Sequence, residues 1–322
     1  MKMALLIGKG LIANAFLNAV APLLVGAEVQ PVIFETNAPF SQKADHAALR
    51  QVGFFETGLL QEGVIPVVER FPIPSNTNIN AATSAPQTLL SPRQIAQVYG
   101  LDRYDMDVNG DRFRACVTND PDICGTLSVR SYPILKPETI NVLREKGFLW
   151  NLHTGLLPKY KGVYIPYHAL ANGEKDYGWT LHDIDPGIDT GAIIGAVQQP
   201  LNPHAPVLQT YLGMVDRGAA LAVEAIHHYM ATGHVSSRPQ TDLRNSYFTY
   251  PTAAQMAAFA AKGIRFTDDI IATYTRLFAP PDTLQEKTLC TALQEAVTAY
   301  ERQHHIAPPH ITTAPQYRLM AT

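Results

Sequence analysis

An α/β architecture, a doubly wound and mostly parallel sheet with a small, mainly helical C-terminal region behind it, is predicted by three observations. Short apolar runs of strand length alternate with amphipathic runs of helix length from Met3 to about Gln198. That is the pattern of β–α–β units whose strands are covered on both faces. The first strand is joined to its helix by Gly8-Lys-Gly10-Leu-Ile-Ala13, with the G-x-G-x-x-[GA] spacing of a Rossmann-like turn. From Gly233 onward the composition shifts, and mainly helical patterns and polar linkers follow. Residues 1–235 are therefore expected to form the main domain, and residues 236–322 a mainly helical extension.

The chain has 322 residues, of which 46% are hydrophobic and 16% charged. That balance suits a globular protein with one large domain and a smaller one. No apolar span reaches membrane length, so no membrane partner is expected. With 25 Lys and Arg against 28 Asp and Glu, the net charge is −3 and no basic run occurs, which argues against a nucleic-acid partner. Cys116, Cys124 and Cys290 have neither metal-ligand spacing nor a disulfide framework, so a cytoplasmic location and no bound metal are expected. A homodimer is left open.

Met3–Ile7 is expected as a buried strand and Leu11–Leu24 as the helix behind it; an N-terminal leader is the weaker interpretation. Val32–Phe34 is the second strand, with Glu35 where a ribose-binding acid of a nicotinamide site would stand. Ala48–Leu60 follows as a helix and Gly63–Val68 as a strand. Pro72–Pro86 is a long polar loop. Ser91-Pro92 opens a helix that ends near Gly100. Asp105–Gly110 resembles half of a calcium loop, but Cys116 stands where the bidentate acid belongs, so a polar turn is expected. Asp122–Val129 is a strand with the exit loop Arg130–Pro133, and Pro137–Lys146 is a helix closed by Gly147. Phe148–Trp150 is the strand that delivers Asn151 and His153 to the sheet's carboxyl edge, where open sheets bind ligands. Tyr177–Asp185 and Ala192–Gln198 are further strands. Val207–Met230 is expected as one long helix, whose His227 and His228 suit a helix C-terminus better than a metal. A short aromatic strand or hook at Tyr247–Tyr250 and helices at Thr252–Lys262, Asp269–Leu277 and Leu284–Gln303 complete the chain.

Chemistry concentrates between Asn151 and Asp189. Asn151 and His153, two apart on an extended strand, face the same side. An asparagine amide donates to a developing oxyanion without changing charge, and a histidine exchanges protons near neutral pH. An ionised aspartate such as Asp189, flanked by Gly187 and Gly191, favours the imidazolium. Together they suit acyl transfer onto an amine, which must lose a proton as it attacks.

The ordered set Asn151-Leu-His153, Gly155-Leu-Leu-Pro158-Lys-Tyr-x-Gly162, Pro166, Ala169, Asn172-Gly173, Gly178-x-Thr180-x-His182 and Asp189-Thr-Gly191 resembles the signature of the folate-dependent formyltransferases. The likeness is strongest over 124–199, and in appearance nearest the nucleotide-sugar N-formyltransferase branch. It departs at Thr154-Gly155, where many relatives have Pro-Ser. The resemblance implies 10-formyltetrahydrofolate as formyl donor and a tetrahedral intermediate on the path to the amine. Asn151 would stabilise the oxyanion, His153 act as general acid and base, and Asp189 orient or charge-stabilise His153. The pterin would lie between two loops, with Arg130, Ser131, Tyr132, Ile134 and Leu135 on one side. His182, Asp183, Ile184, Asp185 and Ile188 would stand on the other, with His182 bracing its loop.

A small-molecule amine, foremost a nucleotide-linked amino sugar, is the expected acceptor. Glycinamide ribonucleotide, methionyl-tRNA and water, the last making the protein a hydrolase, are alternatives on the same fold. A nicotinamide-dependent enzyme using Gly8, Gly10 and Glu35, or a non-catalytic folate-binding protein, are alternatives of a different class.

Overall fold

The computed structural model describes residues 1–36, 46–73, 88–241 and 247–305. Most of the expected Pro72–Pro86 loop, the end of the 236–245 linker and the tail from residue 306 lie outside the described residues.

Strands β1 (Lys2–Gly8), β2 (Gln30–Thr36), β3 (Arg103–Asp105), β4 (Ile123–Val129) and β5 (Phe148–His153) are mutually parallel in the order β3-β2-β1-β4-β5. Beyond β5 the sheet is antiparallel, through β7 (Asp176–Asp183) to β8 (Ile193–Pro200). A two-residue ladder joins β6 (Lys161–Gly162) to β9 (Tyr247–Phe248). The doubly wound, mostly parallel sheet is as expected. Missed strands β3 and β6 are too short for their side chains to show a period.

The sheet's alternation divides its side chains between two cores. On β1, Met3, Leu5 and Ile7 enter a large core with Phe16 and Val20 of α1 (Leu11–Gly26). Ala4 and Leu6 enter a smaller one on the opposite face. There they meet Phe113 and Val117 of α5 (Asp111–Asn119), and Ile140 and Leu143 of α6 (Pro137–Glu145). Between these helices and α1 come α2 (Ala47–Gly53), α3 (Ile65–Val68) and α4 (Pro92–Tyr99). In α4, Ser91 is the N-cap, Pro92 takes the first turn and the helix closes at Gly100, as the sequence predicts; Gln94 completes a capping box with Ser91.

Two expected elements differ. Gly63–Val68 is helical: Phe54–Val64 forms a π-helix that runs directly into α3, and its apolar residues face other helices. A short apolar run is equally a strand or one face of a buried helix, and periodicity cannot separate them. The expected helix at Val207–Met230 is two, α8 (Val207–Leu212) and α9 (Val215–Thr232), separated at Gly213-Met214; both pieces bury apolar faces, so the pattern runs on across the break. Between β6 and β7 lies α7 (Ile165–Ala171). After the linker come α10 (Ala253–Ala261), α11 (Ile270–Phe278) and α12 (Leu284–Gln303). Among the described residues no helix is long and apolar enough to cross a membrane, and none of His, Cys, Asp and Glu group as a metal site.

Gly147 turns the chain from α6 into β5 at φ +133, and a Cβ there would fall against the Cys124 carbonyl of β4. Gly147→Ala is expected to cost about 2 kcal/mol or more, measured as a lower midpoint of urea unfolding; an unchanged midpoint contradicts this account of the turn.

Candidate active site

On β5, Phe148, Trp150 and Leu152 enter the large core, while Leu149 joins Ile140 and Leu143 of α6. Asn151 and His153 follow Leu149's parity. The neighbouring β7 repeats the arrangement: Tyr177, Trp179 and Leu181 are in the large core. Thr180 and His182 lie opposite His153 and Asn151 respectively in the antiparallel ladder. Asp189 arrives from the loop after β7, in the left-handed region at φ +54.

These side chains form a connected polar cluster. His153 Nε2 lies 2.7 Å from the Tyr160 carbonyl. A carbonyl only accepts, so Nε2 carries the proton and, in the neutral ring, the lone pair is on Nδ1. Nδ1 is 3.4 Å from Asp189 Oδ2. That same oxygen accepts the Gly162 backbone N–H at 2.8 Å. His182 Nδ1 lies 2.7 Å from the Asp183 carbonyl and by the same logic donates to it. Its Nε2, 3.1 Å from Asn151 Nδ2, then accepts from the amide and stands 3.6 Å from Asp189 Oδ1. The other Asn151 N–H is left for the cleft.

Gly155 permits this arrangement. A Cβ there would lie 2.6 Å from the Tyr160 carbonyl and 2.7 Å from His153 Nε2. Of the two residues that depart from the Pro-Ser pattern, Gly155 is thus the one in contact with this arrangement.

Burial is the largest influence on His153 and lowers its pKa below the ordinary imidazole value, although the Asp189 charge and the Tyr160 carbonyl pull upward. Burial likewise opposes ionisation of Asp189, but His153, His182 and the Gly162 N–H outweigh it and hold its pKa down to about 2. At neutral pH the pair is therefore a neutral imidazole beside a carboxylate.

The cluster lies on the wall of a cleft of about 550 Å³. One side is the loop after β4, with Arg130, Ser131, Tyr132, Ile134 and Leu135; the other holds His182, Ile184, Asp185 and Ile188. The structure thus brings nine of the ten expected loop residues, and all three of Asn151, His153 and Asp189, to one cavity. Asp183 is the exception. It lines a separate pocket with Arg144, Tyr229 and His234, because at the end of β7 it has the opposite parity to His182.

Ile134, Ile188 and Tyr247 are three of five large hydrophobic side chains exposed among the described residues, and all three line the cleft. Exposed apolar groups gathered at one mouth suit a flat, partly apolar ligand. Ser131 Oγ is buried there without a hydrogen-bond partner.

Sequence reasoning missed four participants. The Tyr160 carbonyl and Gly162 N–H are main-chain groups and leave no compositional trace. Glu56, paired with Arg130 at the cleft's inner wall, carried no signal. Tyr250 was noted as part of an aromatic hook without a place in the site, although that hook's pairing with β6 brings it to the cleft.

The Gly8–Ala13 turn is placed differently. Glu35 is buried and paired with Arg103. Glu56 and Thr57 of the π-helix stand over Gly10, within 3.2–3.4 Å of where its Cβ would be. A carboxylate of the protein's own thus occupies the helix start where a dinucleotide's phosphates would bind.

Residues 129–226 match the family model described as formyl transferase. The chain is 32% identical over 136 residues to a methionyl-tRNA formyltransferase of Synechococcus, covering 40% of this chain and 42% of that one. It is 48% identical over 58 residues to a trifunctional purine biosynthetic protein of Drosophila melanogaster, covering 18% and 4%. The chain thus spans less than half the length of either curated relative. Among solved structures, an N-formyltransferase from Helicobacter canadensis, in complex with folinic acid and dTDP-3-aminofucose, aligns at 21% identity. It covers 77% of this chain and 71% of that chain, with a TM-score of 0.48. A phosphoribosylglycinamide formyltransferase from Anaplasma phagocytophilum aligns at 17% identity over 78% and 99%, with a TM-score of 0.47.

Nuclear magnetic resonance of the imidazole nitrogens should find His153 in the Nε2–H form with a pKa below 6.5, lowered further in Asp189→Asn, which removes an upward pull. An Nδ1–H tautomer, or a rise in that variant, contradicts this hydrogen-bond assignment. The segment from Val129 to Ile226, which builds most of this polar cluster and cleft, is the part of the chain that matches the formyl transferase family model.

Proposed function

We propose that this protein transfers a formyl group from 10-formyltetrahydrofolate to the primary amine of a small molecule. The observation that carries this reading is the placing of Asn151, His153 Nδ1 and Asp189 on the wall of one cleft, inside the segment that matches the formyl transferase family. Bound between the loops at 130–135 and 182–188, the folate supplies the formyl carbon and departs as tetrahydrofolate. Ile134, Leu135, Ile184 and Ile188 would form apolar walls about its ring, and unpartnered Ser131 Oγ fits a polar ring edge.

Each side chain then has a defined task. Asn151 donates its free N–H to the formyl oxygen as that oxygen gains charge, an interaction stronger in the transition state than before it. His153 Nδ1 takes the proton that the attacking amine loses, and the same atom returns it to the departing folate nitrogen. Asp189 lies 3.4 Å from Nδ1 and stabilises the imidazolium between those two transfers. His182, by accepting from Asn151, sets the orientation of the amide.

For the acceptor, a nucleotide-linked amino sugar is the reading we favour. Apart from the two-residue β9, the described elements of the C-terminal region are helices and the net charge is negative, neither of which favours a tRNA acceptor stem. Incubation with 10-formyltetrahydrofolate and a panel of amines, read by mass spectrometry, should show formyl addition to an amino sugar nucleotide. Formate release without addition would instead identify a hydrolase.

His153→Ala should lower kcat at least about a thousandfold while tetrahydrofolate still binds, and Asn151→Ala about a hundred- to a thousandfold. Transfer undiminished in His153→Ala would remove that residue from the chemistry. Because the working histidine must start neutral and its pKa is lowered, kcat/KM should rise with pH through a midpoint below 6.5 and be flat at pH 7; a midpoint above 7 contradicts the assignment.

A further inference from the structure

The π-helix Phe54–Val64 connects two parts of the molecule that the sequence keeps far apart. On its inner side, Glu56 forms an ion pair with Arg130, both groups being nearly inaccessible. Arg130 also donates to the Tyr132 hydroxyl at 2.8 Å, and its guanidinium lies 5.4 Å and 5.1 Å from the rings of Tyr132 and Tyr211. It opens the loop 130–135 in the left-handed region at φ +50, and Tyr132 belongs to the same loop. The conformation of one cleft wall is thus tied to an ion pair whose other member stands on the π-helix. A buried guanidinium has few ways to satisfy its charge, so wherever Glu56 goes, Arg130 must follow.

On its outer side the same π-helix is held by the C-terminal helices. The Tyr274 hydroxyl of α11, fully buried, donates to the Phe55 carbonyl at 2.8 Å and lies 3.4 Å from that of Glu56. The Phe54 ring stacks on Tyr300 of α12 with centroids 4.0 Å apart. Leu293 of α12 comes close enough to Gly63 that a Cβ there would lie 3.3 Å from it. A π-helix is intrinsically less favourable than an α-helix, is rare beyond a single turn, and concentrates at functional sites. Eleven residues of it require outside support.

We infer that the C-terminal helices brace the formyl-donor side of the cleft, and that Tyr274 is a positioning residue acting through the π-helix, Glu56 and Arg130 on the loop 130–135. The Tyr274 hydroxyl donates to the Phe55 carbonyl and lies beside that of Glu56, the two carbonyls that flank the Glu56 Cα, so it fixes the backbone from which the Glu56 side chain departs. The folate consequence rests on the function proposed above; the mechanical linkage does not.

The experiment compares full-length wild type with Tyr274→Phe, Glu56→Gln, the double variant and Thr252→Ala. Thr252 caps α10 through its hydroxyl, so its loss lowers stability in the same region without touching the π-helix. Hydrogen–deuterium exchange without ligand is followed in peptides covering 128–136. Exchange there should rise about three- to tenfold in Tyr274→Phe and in Glu56→Gln, rise no further in the double variant, and stay at the wild-type rate in Thr252→Ala. Tetrahydrofolate affinity should fall by a similar factor in the first two variants. A wild-type exchange rate in Tyr274→Phe, an additive double variant, or an equal rise in Thr252→Ala overturns the linkage. Wild type that exchanges as expected but binds no tetrahydrofolate overturns the folate reading and leaves the linkage standing.

Discussion

The site depends on keeping one buried carboxylate ionised. Desolvating such a group costs several kcal/mol unless donors and positive charge surround it, and Asp189 is largely buried. Its support is two imidazoles, His153 and His182 at 3.4 Å and 3.6 Å, and one main-chain donor, the Gly162 N–H, which reaches Oδ2 from a backbone at φ +91. Asp189 itself sits at φ +54, a conformation that aspartate tolerates better than most residues. The Gln240 amide then ties the loop down, donating to the carbonyls of Asp189 and Gly191 at 2.9 Å and 2.8 Å. A residue from beyond the main domain's expected boundary thereby holds the loop that carries the charge.

Sheet geometry brings the remaining groups to that carboxylate. Asn151 and His153 share a face because they are two apart on β5, and His182 lies across from Asn151 because β7 runs antiparallel to β5 in that register. A slip of one residue in either strand would turn that strand's polar members into the large core and bring Trp150 or Leu181 toward the cleft. The register is held by those same apolar residues, each nearly inaccessible. The packing of the core and the alignment of the polar cluster are therefore one constraint.

Much of this was legible in the sequence. The apolar runs of β1, β4 and β5 marked the sheet, Ser91-Pro92 and Gly100 marked a helix at both ends, and the spacing of Asn151, His153 and Asp189 pointed to acyl chemistry. Gly63–Val68 was misread because its apolar run has no period long enough to separate strand from helix, and its partners lie on α12, more than 200 residues away. Asp183 enters the expected pterin loop through the resemblance alone, while its side-chain parity turns it to the sheet's other face. The Glu56–Arg130 pair was invisible because it joins a helix and a loop 74 residues apart, and Glu56 stands in no recurring pattern.

The main chain also sets the direction of proton traffic at His153. Hydrogen-bonding the Tyr160 carbonyl at Nε2 commits the lone pair to Nδ1, so the basic atom faces the carboxylate and the cleft rather than the protein interior. That commitment requires the turn after β5 to fold back tightly enough for a carbonyl to reach the ring, and the space is available because residue 155 has no side chain. A side chain at 155 would stand against both the carbonyl and Nε2, pushing them apart and freeing the ring to exchange tautomers. The amide, imidazole and carboxylate are thus necessary but not sufficient. What makes Nδ1 the base is the course of the backbone between Thr154 and Gly162, which supplies one hydrogen bond to the histidine and another to the aspartate.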